Sequence, residues 1–168
     1  SFGGLVLAFV YPFMKRFTNL PQVFLGAAFS WAIPMAWAAE TGELTKITWL
    51  LFTANLIWTV AYDTLYAMVD RDDDLRIGVK STAILFGEAD RAIIATLQVM
   101  VILVMAMIGE QAKLGAFYFL GLVAMSCLFV IQQHMIRFRE RDECFAAFKN
   151  NQWAGLAVFV GLFLDSLV

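Results

Sequence analysis

An all-α bundle of transmembrane helices, about five spans after a shorter first helix, is the fold this sequence predicts, and three observations predict it. Hydrophobic residues fill 61% of the 168 positions and charged residues only 15%, where soluble domains carry roughly a quarter. Apolar runs near the ~20 residues that cross a bilayer recur along the chain. The charge between them is sorted: Lys15, Arg16, Arg71, Arg76, Lys80, Arg91, Arg137, Arg139, Arg141 and Lys149 fall in alternate connections, leaving Lys46 and Lys113 for the others.

The opening stretch, 1–13, is apolar but short for a span, and it has neither a basic leader region nor a small-residue cleavage site. With Ser1 in first place, it reads as a truncated helix of a chain that begins inside a larger protein. Spans are expected at 21–39, 46–66, 90–109, 114–136 and 150–167. Their connections are "KRFTNLP", "ETGELTK", the long "DRDDDLRIGVKSTAILFGEADR", "EQAKLG" and "RFRERDECFAAFKN". By the positive-inside rule the basic set faces the cytoplasm, and alternation of the basic connections supports the span count independently. The runs are too long and continuous for barrel strands. No repeat or linker divides the chain, so residues 1–168 read as part of one membrane domain.

Several classes drop out. A net charge of −2 and the lack of a basic segment interleaved with aromatics argue against nucleic-acid binding. Cys127 and Cys144 have neither metal-ligand spacing nor a common location, so neither zinc nor a disulfide is indicated.

What needs explaining is "AYDTLYAMVDRDDDLRIGVKS", residues 61–81, with five aspartates at the end of an apolar run. If the 46–66 helix continues through them at 100° per residue, Asp63, Tyr66, Ala67, Asp70 and Asp74 fall within about 60° of one direction. Asp72 then points the opposite way and Asp73 off to the side. Carboxylates gathered on one face at a membrane rim need a positive partner. All-oxygen ligands favour a hard divalent ion such as Mg²⁺, held by a few carboxylates plus substrate phosphates. An EF-hand starting at Asp70 would need Gly and Glu where Leu75 and Ser81 stand, and a P-loop fails at "GVKS". Lys15 and Arg16 beside Tyr11, with Arg76 and Lys80 after the aspartates, add the cations that a diphosphate takes. Arg137, Arg139 and Arg141 read as positive-inside anchors. His134 reads as interfacial, and Asn55 as either cavity-facing or an interhelical hydrogen bond.

These segments, "YPFMKR", "LPQVFLGAAFSWAIPMAWAA", "AYDTLYAMVDRDDDLRIGVKSTAILFG" and "FKNNQWAGL", resemble the UbiA superfamily of intramembrane prenyltransferases. The resemblance covers nearly the whole chain. It implies a nine-helix bundle with two aspartate-rich motifs on the cytoplasmic side, joined by Mg²⁺ to the diphosphate of a polyprenyl donor. The second motif falls on Asp70 and Asp74, with Asp63 before it; the family's Tyr-x-x-x-Lys falls on Tyr11 and Lys15, followed by Arg16. The first motif and about three and a half preceding helices are missing, so this chain by itself is not expected to catalyse. The activity implied is transfer of a polyprenyl group from polyprenyl diphosphate to the ring of 4-hydroxybenzoate, in ubiquinone biosynthesis at the bacterial inner membrane. Asp63, Asp70 and Asp74 are the expected catalytic and metal-binding residues. Tyr11, Lys15, Arg16, Tyr66, Lys80 and Asn55 are the expected substrate contacts. Homogentisate, a naphthoate or haem are alternative acceptors. An ion-coupled transporter is the alternative class, which would place charge at the midplane of several helices rather than at one rim.

Overall fold

In the computed structural model, residues 2–168 are described, Lys15 by its backbone alone, and among them helices and short connections are the only elements. Helix α1 spans Phe2–Phe17 and is followed by α2, Pro21–Ser30, and α3, Ala32–Thr41. The run expected as one span at 21–39 is thus interrupted at Trp31. The cause is Pro34: it has no N–H for the Ser30 carbonyl, and its ring crowds that carbonyl, which kinks a helix.

Helix α4, Lys46–Ile77, is the longest element at 32 residues. Thr45 starts it, its hydroxyl accepting the Thr48 N–H at 3.4 Å while the Thr48 hydroxyl accepts the Thr45 N–H at 3.1 Å, a capping box with Thr in the usual Glu position. Gly78, at φ +72°, ends it in the left-handed region that glycine adopts without strain. At 1.5 Å per residue, α4 is about 48 Å long, well beyond the ~30 Å of bilayer hydrocarbon. Its last three turns overhang, and they carry Asp70–Asp74.

The long connection expected after the 46–66 span is largely helical. Ser81 caps a short helix α5, Thr82–Phe86, and a 3₁₀ turn at 87–89 leads directly into α6, Asp90–Ala112. Helix α7, Ala116–Met135, returns to the charged rim, and α8, Arg141–Asp165, leaves it. Helix α8 starts nine residues before the expected span at 150, because Asp142 and Glu143 in its first turn suit the positive helix N-terminus. By length and apolarity, three stretches qualify as membrane spans: Pro21–Thr41, Thr82–Ala112 and Ala116–Phe138. The other two expected spans, in α4 and α8, are long enough but carry polar and charged residues through much of their length.

Helix α4 is central, packing against α2, α6 and α8. Beneath the charged rim, Leu65, Ala67 and Met68 of α4 pack with Ala83, Ile94, Ile136, Cys144 and Ala147; small residues at this junction let the helices approach closely. Helices α7 and α8 meet through glycine. A Cβ on Gly161 would lie 2.6 Å from the Phe117 carbonyl oxygen, and one on Gly121 would lie 2.8 Å from that of Ala157. Side-chain hydrogen bonds join helices inside the bundle: Gln98 to Gln132 at 2.8 Å, Gln132 to Asn150 at 3.0 Å, and Thr64 with Thr82 at 2.7 Å.

Candidate active site

Because α4 runs unbroken through the aspartates, the angular sorting expected from the sequence holds. Asp63, Asp70 and Asp74 form a column on one face; Asp74 is buried and Asp70 half-buried, while Asp72 and Asp73 are exposed. The last two turns place four carboxylates at the helix C-terminus, where the backbone itself presents about half a negative charge. Such a concentration is unfavourable unless cations offset it.

Arginines supply part of that offset, and they come from places the sequence reading assigned to membrane anchoring. Arg141, in the first turn of α8, donates from Nη2 to Asp73 at 2.7 Å and lies 3.8 Å from Asp70. Arg76 pairs with Asp73 at 3.7 Å. Arg139 turns inward onto Asp90, a fully buried carboxylate at the start of α6. Its Nε and Nη2 donate at 2.9–3.1 Å, the Arg91 N–H donates to the same carboxylate at 2.6 Å, and Arg71 stands 3.5 Å away. The hydrogen bond to Asp90 raises the Arg139 pKa above its ordinary value. Arg139 and Arg141 are therefore not simple anchors. They were missed because their acidic partners lie 49 and 68 residues away, and sequence spacing carries no signal for such pairs. Arg71, one residue after Asp70, ties the overhanging end of α4 to this anchor.

The donor set fits a hard divalent ion in part. Asp70 and Asp74 stand one turn apart, about 6 Å along the axis, close enough for one ion with ligand distances of about 2.1 Å. Asp63 is about 10 Å from Asp70 along the same axis, beyond the reach of that ion. Among the described residues no three acidic, histidine or cysteine groups converge on a common point. The three acids share a face but not a coordination sphere, so two carboxylates plus oxygens from a substrate and water are what this end of α4 offers a metal.

From the carboxylates an aromatic series leads inward. Tyr66 packs on Phe148 with ring centroids 5.2 Å apart and on Phe145 at 6.4 Å; Tyr62 meets Phe148 at 6.1 Å and Trp58 at 6.5 Å; Trp58 meets Phe129 at 6.4 Å. A cavity of about 380 Å³ opens between α4 and α8 along this series, lined by Trp58, Tyr62, Phe148, Lys149, Asn151 and Gln152. The Trp58 indole N–H donates to Asn151 at 2.9 Å, which fixes the ring at the cavity wall. A second groove, of about 320 Å³, is lined by α6 and α7 residues alone and lies away from the carboxylates.

The remaining expected contacts separate. Tyr11 of α1 and Tyr62 of α4 both lie within electrostatic range of Asp63. Arg16 is exposed and Lys80 half-buried, and the side chain of Lys15 lies outside the described residues. The Asn55 amide donates to Ser30 of α2 at 2.9 Å, the interhelical alternative.

The model of the UbiA prenyltransferase family matches residues 1–162. The chain belongs to the UbiA prenyltransferase family. It is 70% identical over 165 residues to the 4-hydroxybenzoate octaprenyltransferase of Marinobacter nauticus, covering 98% of this chain and 56% of that protein. It is 60% identical to the enzyme of the same name from Pseudomonas syringae, again over 98% of this chain and 56% of the relative. The chain thus spans a little over half the length of these curated relatives. An apo structure of a UbiA homolog from Aeropyrum pernix K1 superposes with a TM-score of 0.81 at 21% identity, over 97% of this chain and 62% of that one. That likeness shows the family fold in the arrangement of α1–α8.

Proposed function

We propose that this chain is the C-terminal part of an intramembrane prenyltransferase domain that transfers a polyprenyl group from polyprenyl diphosphate to the ring of 4-hydroxybenzoate, in a Mg²⁺-dependent step of ubiquinone biosynthesis. The observation that carries the reading is the pairing of Asp70 and Asp74 on one face at the end of α4 with an aromatic series, Tyr66, Phe148, Tyr62 and Trp58, that runs back from them to a cavity between α4 and α8. The names of the relatives at 60–70% identity support the donor and the acceptor. The basic connections favour a cytoplasmic location for the rim, and the bacterial relatives favour an inner membrane.

In this reading Asp70 and Asp74 would hold a Mg²⁺ ion, and Lys15, Arg16 and Lys80 would take the diphosphate end of the donor. The chemistry a bound Mg²⁺ supplies is neutralisation of negative charge growing on the departing diphosphate. The C1–O bond of the allylic donor breaks, leaving an allyl cation beside Tyr66. The ring carbon of 4-hydroxybenzoate ortho to its hydroxyl bonds to that cation and then loses its proton. Asp63, within electrostatic range of Tyr11 and Tyr62, orients the acceptor and stands ready to accept the proton. Phe145, Phe148, Tyr62 and Trp58 flank the prenyl tail and keep water from the cation.

The test is prenylation of labelled 4-hydroxybenzoate by membranes carrying the full-length protein, with Mg²⁺ or a chelator, and with Asp70→Ala in parallel. Product that requires both Mg²⁺ and Asp70 is expected. Product only with homogentisate, a naphthoate or haem would reassign the acceptor. No metal-dependent product with any acceptor would refute the enzyme reading.

A further inference from the structure

Asp73 has no place in the proposed reaction. It lies about 80° from the Asp70 and Asp74 face, yet it receives two arginines, Arg76 at 3.7 Å and Arg141 at 2.7 Å. A carboxylate beside an anion-binding site repels the anion, so its presence there needs a reason. The position of Arg141 supplies one. Its contacts to Asp73 and Asp70 both run through Nη2, and the side chain is 60% exposed. Both forks of a guanidinium, Nε with Nη2 and Nη1 with Nη2, include Nη2, whose two N–H groups let one fork meet the carboxylates while the other stays available beside the metal-binding end of α4. A planar fork held on one side and open on the other suits bidentate capture of a phosphate group.

We infer that Arg141 is a diphosphate-binding residue, carried to the site by the first turn of α8 and aimed by Asp73, which acts as its tether. The inference rests on the proposed reading of Asp70 and Asp74. Charge on the diphosphate meets Arg141 from the α8 side and the metal from the α4 side, so the leaving group is held between two helices that only tertiary packing brings together. Asp70 at 3.8 Å is shared: Arg141 neutralises it in the free protein and turns toward the diphosphate when metal binds that carboxylate.

The experiment is calorimetric titration of inorganic pyrophosphate into the full-length protein in phosphatidylcholine nanodiscs, with Mg²⁺ or with EDTA. Arg141→Ala should weaken binding about five- to tenfold in both conditions, the size of an ordinary net hydrogen bond, since solvent reduces the charge-assisted gain at an exposed side chain. Arg141→Lys should recover part of the loss, Asp73→Asn should lose part of it, and Asp70→Asn should weaken binding only when Mg²⁺ is present. If Arg141→Ala stays within twofold of the parent while Asp70→Asn loses the metal-dependent part, Arg141 is a surface ion pair and the inference fails, with the proposed function intact. If Arg141→Ala alters affinity for phosphatidylglycerol vesicles and not for pyrophosphate, Arg141 reads lipid headgroups and the inference again fails. If the parent itself shows no Mg²⁺-dependent binding, both readings fall together.

Discussion

Replacing Asp90 tests how the overhanging end of α4 is held. The carboxylate is fully buried and accepts from Arg139 and the Arg91 N–H, with Arg71 3.5 Å away. Removing one partner of a buried ion pair costs about 3–5 kcal/mol, because the opposite charge is left without compensation. Here the side chains of Arg71 and Arg139 are 26% and 30% exposed, so water takes up part of that loss. The lost acceptor at the first turn of α6 restores about 1 kcal/mol to the total. Asp90→Ala is therefore expected to destabilise by about 3 kcal/mol. Asp90→Asn, which keeps an acceptor for Arg91, should cost about 2 kcal/mol. Equilibrium unfolding in mixed micelles, followed by tryptophan fluorescence, measures both. A double variant with Arg139→Ala should fall short of the summed single losses by more than about 1 kcal/mol, as groups in one network do. Asp90→Ala within about 0.5 kcal/mol of the parent, or strict additivity with Arg139→Ala, would refute the idea of a buried anchor.

Gly161→Ala should destabilise by about 1–3 kcal/mol, since its Cβ would stand 2.6 Å from the Phe117 carbonyl; thermal unfolding in detergent gives the value, and an unchanged midpoint would show that α7 and α8 meet less closely. Burial first, then the negative charges of Asp90 and Glu143, pushes the Cys144 thiol at the rim up to about 11. Its folded pKa thus lies above the unfolded value, so its stabilising contribution is complete below about pH 9 and is lost as pH rises toward 11, at up to about 1.4 kcal/mol per unit. Cys144→Ser should flatten this alkaline slope, and maleimide should leave the buried Cys144 unlabelled at pH 7.5 in the folded protein. Tyr62→Ala removes a ring joining Trp58 to Phe148; the expected result in the prenylation assay is a KM for the polyprenyl donor about tenfold higher with the acceptor KM little changed, and the reverse pattern would move the tail elsewhere.

Much of this molecule was legible in its residues because the signals are local. Hydropathy and charge alternation marked the membrane helices, and the 3.6-residue period carried Asp63, Asp70 and Asp74 onto one face of a helix that does continue through them. Boundaries were read less well wherever charge was equated with loop. The stretches at 82–89 and 141–149, both placed in connections between the expected spans, are helical, since a helix can continue beyond the bilayer surface whether or not it carries solvated charge. Within the predicted span at 21–39, Pro34 was a visible reason for a break that the length criterion overlooked.

The sequence by itself determined an all-α membrane chain, the one-faced acidic column and the family resemblance, all properties of neighbouring residues or of short motifs. Tertiary structure alone decided which cation serves which acid, that Arg139 anchors on Asp90 and Arg141 on Asp73, and that Trp58 meets Asn151 across 93 positions. The physical reason is that an ion pair or a ring contact depends on separation in space. Helices that each satisfy their own backbone hydrogen bonds leave that separation to be set by side-chain packing between them.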